Sequence, residues 1–357
     1  MKLAVVVGTR PELIKMAMLI KELKKRNTSN LFIHSGQHYD YHMDGMVLSL
    51  FDLPKPDFHL AVGSGTHAYT TSNVMIQVEK LIKSERIDLI IVHGDTNTTL
   101  GASLAAAKSF VPIVHIEAGL RSYDKTMPEE INRIIVDHLS TYLMSPTQEA
   151  ISNLKKEGIT SGVYCTGQTI VDAIHYLKNL KPFNVLNKYG LTYKEFYFVT
   201  VHRQENTDDV KRLHSIFKSL YILANSEKKV VLSLHPRTKK ILTQHDKYDE
   251  LINSKIVTLD PPPNFFESIQ LQHNASFVIT DSGGLQEESC ILGTPCITLR
   301  ENTERPETVE CGANILAGYK TESILNAIKQ MEIKAWKHPY GDVGISSRIL
   351  DIIAKKQ

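Results

Sequence analysis

The chain has 357 residues, of which 42% are hydrophobic, and this provides enough apolar material for two α/β domains. Its 41 Lys and Arg residues nearly balance 39 Asp and Glu residues, giving a net charge of +2. This balance gives no electrostatic indication of binding to nucleic acid or to an anionic membrane. The short apolar run after Met1 predicts no secretory leader, and no stretch approaches the roughly 18 apolar residues of a membrane span. A cytoplasmic protein is expected.

In the first half, short apolar runs alternate with helical patterns. Strands are predicted at Leu3–Val7, Leu31–His34, Asp88–His93, Pro112–Ile116 and Tyr142–Met144. Helices are predicted at Pro11–Arg26, Thr66–Lys83, Thr96–Lys108, Glu129–Leu139 and Thr147–Glu157. Near-continuous Val/Ile runs are typical of strands buried on both faces, and hence of parallel sheets covered by helices.

The alternation resumes in the second half. Strands are predicted at Tyr197–His202, Lys229–Leu234, Lys255–Leu259, Ser276–Thr280 and Pro295–Leu299, and helices at Val210–Ala224, Gly283–Leu292 and Ser346–Lys355. The polar segment Asn179–Thr192 lacks apolar periodicity and is the predicted boundary. We therefore expect an α/β protein with two Rossmann-like domains, parallel sheets and a central cleft. The predicted domains are residues 1–178 and 179–340. The C-terminal helix in residues 341–357 is expected to pack on one of these two domains, and the sequence leaves open which.

The segment Gly8–Glu12 follows the first strand, and Lys15 lies one turn further on. Gly8 suits a tight turn. Arg10 would then lie beside a helix N-terminus, which favours phosphate. An exposed Arg10 and a surface ion pair between Glu12 and Lys15 fit the same spacing equally well.

Two carboxylates follow predicted strands in this half. Glu117 leaves a buried strand, where a glutamate is unusual unless it is used or paired. Function is therefore favoured for Glu117 over a salt bridge with Arg121. Asp95 can act as an acid, a base or a hydroxyl acceptor, but the N-cap of the next helix explains it equally well.

Glu129 opens a predicted helix. A capping box with Thr126 and an i,i+4 ion pair with Arg133 would account for it structurally. Only its closeness in sequence to Glu117 favours a functional role.

In the second half, His202 and Arg203 end the first strand, at the position that corresponds to Gly8–Glu12. Together they are suited to hold a diphosphate, although a lone histidine at a strand end is more often structural. Arg305 lies after the last predicted strand and is either a phosphate contact or part of a surface charge cluster.

The most specific local pattern is a strand that runs into Ser282-Gly283-Gly284 and then a helix. The glycines allow backbone N–H groups to approach an anion at the helix N-terminus. Glu288, one turn into the helix, is suited to a ribose diol. An N-cap role for Ser282 explains the serine but not two consecutive glycines at a helix start.

Cofactor and metal signatures are weak. No GxGxxG fingerprint follows a predicted strand, so no dinucleotide cofactor is expected. His38 and His42 are four residues apart but lack an HExxH pattern, and no metal site is predicted. The four cysteines form no CxxC pair and are predicted to be free thiols of a reducing compartment, namely Cys165, Cys290, Cys296 and Cys311.

At these residues the chain resembles the non-hydrolysing UDP-N-acetylglucosamine 2-epimerases. The matching elements are GTRPE with Lys15, HGDT, HIEAGLRS, PEEINR, VHRQEN, TDSGGLQEE and the RxxTERPE segment Arg300–Glu307. They follow the family's order over nearly the whole chain. The resemblance implies a GT-B-like fold, a homodimer, no cofactor, and interconversion of UDP-GlcNAc and UDP-ManNAc for polysaccharide biosynthesis.

The resemblance also implies residue roles. The implied catalytic residues are Asp95, Glu117, Glu129 and His202, and the implied substrate contacts are Arg10, Lys15, Arg133, Ser282, Gly283, Gly284, Glu288 and Arg305. The implied route is elimination of UDP from C1 as a carboxylate removes the C2 proton, then re-addition to the 2-acetamidoglucal. Which carboxylate acts on which face stays open.

Several alternatives remain open at this point. They are a UDP-2,3-diacetamido-glucuronate 2-epimerase, a hydrolysing epimerase, a GT-B glycosyltransferase and a non-catalytic nucleotide-sugar binding module. The segment Pro261–Phe266 departs from the family's usual uracil-side loop. Gln37-His38 matches only the start of an effector-site segment, so weak or absent activation by UDP-GlcNAc is predicted.

Overall fold

The structure, a computed structural model, describes residues 1–37, 41–180, 185–331 and 335–355. It divides into two compact units: Met1–His175 with Tyr340–Gln357, and Tyr176–Pro339. The boundaries expected from the sequence lay after residues 178 and 340. The division falls inside a helix, where no change of composition marks it.

The first unit is a parallel sheet with helices between its strands. Its seven strands lie in the order β3-β2-β1-β4-β5-β6-β7, and every pair is parallel. In chain order the elements are β1 Leu3–Val7, α1 Arg10–Lys25, β2 Asn30–His34, α2 Tyr41–Leu50, β3 Phe58–His59, α3 His67–Glu85, β4 Leu89–His93, α4 Asn97–Lys108, β5 Ile113–Ile116, α5 Pro128–Leu139, β6 Tyr142–Ser145, α6 Gln148–Lys156, β7 Val163–Cys165 and α7 Ile170–Asn179.

The second unit repeats this design with six parallel strands in the order β10-β9-β8-β11-β12-β13. Its elements are α8 Val185–Lys188, β8 Phe196–Thr200, α9 Gln204–Thr207, α10 Val210–Ala224, β9 Lys229–Ser233, α11 Pro236–Gln244, α12 Tyr248–Ile252, β10 Val257–Leu259, α13 Phe265–Asn274, β11 Phe277–Thr280, α14 Gly283–Leu292, β12 Cys296–Thr298, α15 Pro306–Glu310, β13 Asn314–Leu316 and α16 Thr321–Gln330.

The predicted α/β fold class with two Rossmann-like, parallel-sheet domains is confirmed. Every strand and helix predicted from the sequence is present, with ends that agree within about two residues. The central strands are easily predicted from the sequence because both of their faces are buried, which makes them continuous apolar runs. In β1 and β4, for example, all residues are buried. Edge strands such as β3 and β7 were missed because they have only two and three residues.

The polar segment around residues 179–192 is not simply a linker. Val185 and Leu191 are buried in a core cluster with Phe196 and Phe198 of β8. Leu186 and Tyr189 pack against the same cluster, so the tertiary structure gives this short segment an apolar face that its polar flanking sequence does not reveal.

The C-terminal helix α17 (Ile345–Ala354) packs on the first unit. Arg26 at the end of α1 donates to Asp351 at 2.7 Å. Asp172 accepts hydrogen bonds from the backbone amides of Gly344 and Ser346, both at 2.7 Å. These contacts choose between the two packing options that the sequence left open.

The strand order reverses direction once in each sheet, between β1 and β4 and between β8 and β11. In doubly wound sheets, ligands bind beyond the carboxyl ends of the strands at this switch point. Gly8–Glu12 and Asp95 follow the first pair, and His202 and Ser282 follow the second. None of the helices in the described residues combines the length and the apolar character that crossing a bilayer requires.

Candidate active site

A buried carboxylate holds the turn after β1. Glu12 is 4% exposed, and its Oε2 accepts hydrogen bonds from the amides of Gly8 and Thr9, each at 2.8 Å. Its Oε1 accepts from the hydroxyls of Thr96 at 2.7 Å and Thr99 at 3.0 Å, which follow β4. Burial raises the pKa of Glu12, and these hydrogen bonds oppose that rise. Glu12 thus joins the turns after β1 and β4, and the alternative of a surface ion pair between Glu12 and Lys15 is wrong.

Glu117, just beyond β5, pairs with Lys15 of α1. Its carboxylate is 9% exposed, and its backbone φ is +73°, a left-handed conformation. Such a conformation costs a non-glycine residue about 1–3 kcal/mol and recurs at functional sites. Nε2 of His93, the last residue of β4, lies 3.5 Å from Glu117 Oε1, the oxygen that contacts Lys15.

The alternative salt bridge between Glu117 and Arg121 is wrong, because Arg121 belongs to a separate buried network. Arg121 donates to Asp137 at 2.7 Å and to Glu157 at 2.7 and 2.6 Å. His115 also contacts Asp137, at 2.7 Å through Nδ1. Burial acts to raise the pKa of Asp137, but His115 and Arg121 hold it below its usual range. This network fixes the loop that follows Glu117.

Asp95 pairs with Arg133 of α5. Burial raises the pKa of Asp95, the Arg133 guanidinium opposes the rise, and Glu117 adds to it. The N-cap of α4 is Thr96, whose hydroxyl accepts from the Thr99 amide at 3.2 Å. The N-cap explanation for Asp95 is therefore wrong.

Glu129 lies in the first turn of α5 and is exposed. The expected capping box is wrong: the N-cap is Met127, and the Thr126 hydroxyl donates to Asp124 at 2.6 Å. Arg133 contacts Glu130 at 3.2 Å as well as Asp95, instead of the expected i,i+4 pair with Glu129. Neither structural explanation for Glu129 survives.

These side chains share a cavity of about 430 Å³ within the first unit. It is lined by the predicted residues Lys15, Asp95, Glu117 and Glu129, and also by His93, Asn132, Gln37 and His67. Arg10 is exposed at the first residue of α1. The side chains of His38 and His42, the weak metal candidates, lie outside the described part of the structure.

In the second unit, His202 follows β8 and is held by Asp281. The Asp281 carboxylate is fully buried and accepts from the backbone amides of His202 at 3.0 Å and Arg203 at 3.0 Å, and from Asn206 Nδ2 at 3.1 Å. His202 Nδ1 lies 3.4 Å from Asp281 Oδ1. Burial lowers the pKa of His202, and Asp281 opposes this shift. Against the ring lies His235, with centroids 5.1 Å apart.

Helix α14 begins at the Ser282-Gly283-Gly284 segment. Ser282 occupies the N-cap position, but its side chain makes no cap hydrogen bond. A Cβ at Gly283 or Gly284 would meet only ordinary van der Waals contacts, the nearest at 3.6 and 3.8 Å. Packing within the second unit therefore does not demand these glycines, and close approach of a ligand to the helix N-terminus accounts for them better.

Two further predicted contacts lie beside α14. Glu288 accepts from Gln272 Nε2 at 2.6 Å. Arg305 Nε lies 3.5 Å from the buried Glu287 of the same helix. The structure thus brings Ser282, the glycines and Glu288 together on one helix and places Arg305 against it.

Sequence reasoning missed several residues at these positions. His93 was read only as the end of a strand, and Asp281 only as the start of a glycine motif. A usable signal existed for both: each is a titratable side chain at the carboxyl end of a strand beside the switch point.

A sequence profile of the family described as UDP-N-acetylglucosamine 2-epimerase matches residues 21–354. A UDP-N-acetylglucosamine 2-epimerase of Methanocaldococcus jannaschii is 42% identical over 99% of this chain and 99% of its own length. A UDP-2,3-diacetamido-2,3-dideoxy-D-glucuronate 2-epimerase of Pseudomonas aeruginosa is 37% identical over 99% of this chain and 100% of its own length.

The comparison of folds agrees with that of sequences. The crystal structure of Methanocaldococcus jannaschii UDP-GlcNAc 2-epimerase in complex with UDP-GlcNAc and UDP matches with a TM-score of 0.86 at 43% identity, over 99% of this chain and 100% of that chain. These similarities confirm the GT-B-like fold and the resemblance that the motifs carry. The chain belongs to the UDP-N-acetylglucosamine 2-epimerase family.

Proposed function

We propose that this chain interconverts UDP-GlcNAc and UDP-ManNAc. The observation that carries the proposal is the cavity of the first unit, which Asp95, Glu117 and Glu129 line together with Lys15. Several carboxyl groups around one cavity can remove a proton from one face of a sugar and deliver a proton to the other. The names of the relatives support this choice of reaction.

The proposed route is elimination and re-addition. The C1–O bond to UDP breaks, UDP leaves with the bonding electrons, and a carboxylate takes the C2 proton. A C1=C2 double bond forms, giving 2-acetamidoglucal and UDP. In the return step a UDP oxygen attacks C1 while an acid protonates C2 on the opposite face, so atoms and charge balance without a cofactor.

Proton transfer is assigned to Asp95, Glu117 and Glu129. Asp95 pairs with Arg133, and desolvation raises its pKa against the opposing effect of that guanidinium. Glu117 pairs with an ammonium group and has a strained backbone. Different environments for neighbouring carboxyl groups favour different roles in catalysis.

Stabilisation of the departing diphosphate is assigned mainly to the second unit. The candidates are His202, Arg305 and the amides at the N-terminus of α14, at Ser282, Gly283 and Gly284. A helix N-terminus and cationic side chains stabilise the charge that develops on a leaving phosphate. Glu288 is assigned to the ribose, and Arg10, Lys15 and Arg133 of the first unit are assigned as further substrate contacts.

A cytoplasmic homodimer is part of the same proposal. Ile131 and Ile135 lie one turn apart on α5 and are 47% and 37% exposed, which suits an interface between copies. All four cysteines are free thiols, which suits a reducing compartment. Light scattering of the purified protein tests the dimer, with a monomer mass as the contradicting result.

A second candidate substrate is UDP-2,3-diacetamido-2,3-dideoxy-glucuronate. The 37% identity to the Pseudomonas aeruginosa enzyme named for that sugar over the whole chain favours it as the alternative. It would be epimerised by the same route, because the two sugars differ away from C1 and C2.

Proton NMR of the purified protein with UDP-GlcNAc in D₂O tests the function. UDP-ManNAc signals with deuterium at C2 are the expected result. No reaction with UDP-GlcNAc but exchange with the diacetamido-glucuronate would select the second candidate. Free ManNAc and UDP would instead show hydrolysis, and binding of UDP without any turnover would contradict an epimerase role.

A further inference from the structure

His93 is a buried histidine with an unusual environment. It is the last residue of β4, is 3% exposed and lines the cavity of the first unit. Neither ring nitrogen has a hydrogen-bond partner among the residues that the structure describes. Leaving a buried polar group unpaired costs about 1–3 kcal/mol. A leucine or phenylalanine would fill this place without that cost, so the imidazole itself needs an explanation.

The groups facing His93 are Glu117, Lys15 and His115. Nε2 lies 3.5 Å from Glu117 Oε1, just beyond the usual range of about 2.7–3.2 Å for a nitrogen–oxygen hydrogen bond. Burial lowers the pKa of His93 to about 4, Glu117 opposes this shift, and Lys15 and His115 add to it. At neutral pH the ring is therefore uncharged and carries one N–H that it can donate.

Glu117 Oε1 pairs with the Lys15 ammonium. An adjacent cation favours the charged form of a carboxylate and so makes it a weaker base. Lys15 is also the ammonium group that lines the cavity where a nucleotide sugar is proposed to bind. A bound diphosphate would compete with Glu117 for it.

We propose that His93 is a positioning residue that replaces Lys15 as the hydrogen-bond donor to the Glu117 carboxylate when substrate binds. In the exchange the Lys15 ammonium turns to the diphosphate, and Nε2–H of His93 donates to Glu117 Oε1. A shift of about half an ångström closes that contact. The carboxylate keeps its orientation while its partner changes from a cation to a neutral donor, so substrate binding itself makes Glu117 a stronger base. This inference rests on the proposed function.

Substitutions that imitate one ring nitrogen at a time test the inference. In His93→Gln the side-chain amide nitrogen reaches the region of Nε2, and in His93→Asn it reaches only that of Nδ1. We expect His93→Gln to keep kcat within about tenfold, and His93→Asn and His93→Ala to lose about a hundredfold, the range of a general acid–base contribution. The Kd for UDP should rise in His93→Asn and His93→Ala but not in His93→Gln, because a contact that UDP binding favours must in turn favour UDP binding.

His34→Asn is the matched control. His34 is the last residue of β2, is equally buried, and also has a pKa lowered to about 4, by burial and by His59. Its Nδ1 accepts from the Gly36 amide at 3.0 Å, a contact that an asparagine oxygen can keep. Full activity of this variant is expected. Equal losses of kcat in His93→Gln and His93→Ala, with UDP binding and thermal unfolding intact, would overturn the inference.

A measurement on the wild-type ring separates this inference from the proposed function. Nitrogen-15 NMR of the histidines is expected to show His93 neutral at pH 7, as the Nε2–H tautomer, with a shift on addition of UDP that Lys15→Met abolishes. This response without UDP-ManNAc formation would contradict the proposed function alone. UDP-ManNAc formation with a His93 signal that ignores UDP would overturn the positioning role alone.

Discussion

The switch points of the two sheets share one topology but use their carboxylates differently. Asp95 follows β4 and Asp281 follows β11, which are corresponding strands. Asp95 lines a cavity and pairs with one cation, Arg133. Asp281 is fully buried and accepts from three N–H groups of the second unit. A strand end thus carries a carboxylate in both units, but only the second-unit carboxylate is enclosed by backbone amides, while Asp95 lines a cavity.

A histidine beside a carboxylate repeats the contrast. In the second unit Asp281 holds the backbone and ring of His202, which is exposed enough to meet a ligand. In the first unit the histidine, His93, is the enclosed partner, and Glu117 faces the cavity. Glu117 has a positive φ and lines the cavity, whereas Asp281 is bound by backbone amides.

The largest expected effect comes from removing a carboxylate that is proposed to transfer protons in the first unit. Glu117→Gln and Asp95→Asn should each lower kcat by about 10²–10⁴-fold, the usual contribution of general acid–base catalysis. UDP affinity should persist, because the anion contacts assigned to the second unit are unchanged. Turnover assays with calorimetric titration of UDP measure both. Glu149→Gln, on the exposed surface of α6, is the control. Unchanged turnover in Glu117→Gln would contradict the proposal that the first unit transfers protons while the second unit binds the diphosphate.

Loss of a cation in the second unit should weaken binding instead. Arg305→Met is expected to reduce UDP affinity by about ten- to a hundredfold, since hydrogen bonds to charged groups contribute roughly 1.5–3 kcal/mol. Lys239→Met is the control, because Lys239 pairs with Asp260 at 2.5 Å on the exposed surface of α11. Equal affinities of the two variants for UDP would show that Arg305 is only part of a surface charge cluster.

Asp281 should behave as a scaffold carboxylate. Asp281→Asn is expected to lower the free energy of unfolding by about 1–3 kcal/mol, because buried N–H groups lose an acceptor. Urea unfolding measures this, with Asp246→Asn as control at an exposed left-handed position that asparagine tolerates. Lost activity with unchanged stability would mean that Asp281 takes part in the chemistry, as Asp95 is proposed to do.

Acidification should destabilise the protein through its buried histidines, and His34 of the first unit is one of them. The pKa of His34 is lowered to about 4 from 6.5, so between these values the unfolded chain binds a proton that the folded chain does not. Stability that is present above pH 6.5 is therefore lost as the pH falls, by at most about 1.4 kcal/mol per pH unit. Urea unfolding of wild type and His34→Asn over this range should show a shallower slope for the variant, and equal slopes would contradict the assignment.

The sequence was sufficient for the central strands, for several of the helices and for the positions of the motifs. Strands such as β4 and helices such as α10 are predicted by the local spacing of their apolar residues, and this spacing reflects burial of one face or of both. The rule that ligands meet the carboxyl ends of parallel strands then located Asp95, Glu117 and Ser282 at ligand-facing positions. Seven motifs in the family's order then indicated the family to which the chain belongs.

The partners of charged side chains could not be predicted. Sequence spacing suggested ion pairs between Glu12 and Lys15 and between Glu117 and Arg121. In the structure, Lys15 pairs with Glu117, 102 positions away, and Arg121 pairs with Glu157, 36 positions away. Local spacing reports only neighbours on the same element, while an ion pair is decided by which strand ends the sheet brings together.

By itself, the sequence determined that the chain forms two parallel-sheet domains and which residue types follow their strands, because periodicity and turn chemistry act over a few residues. Tertiary structure decided that Glu12 is buried, that Glu117 takes a left-handed backbone, that α17 packs on the first unit and that His93 faces Glu117. Each of these depends on desolvation and on contacts between segments far apart in the chain, which no local pattern encodes.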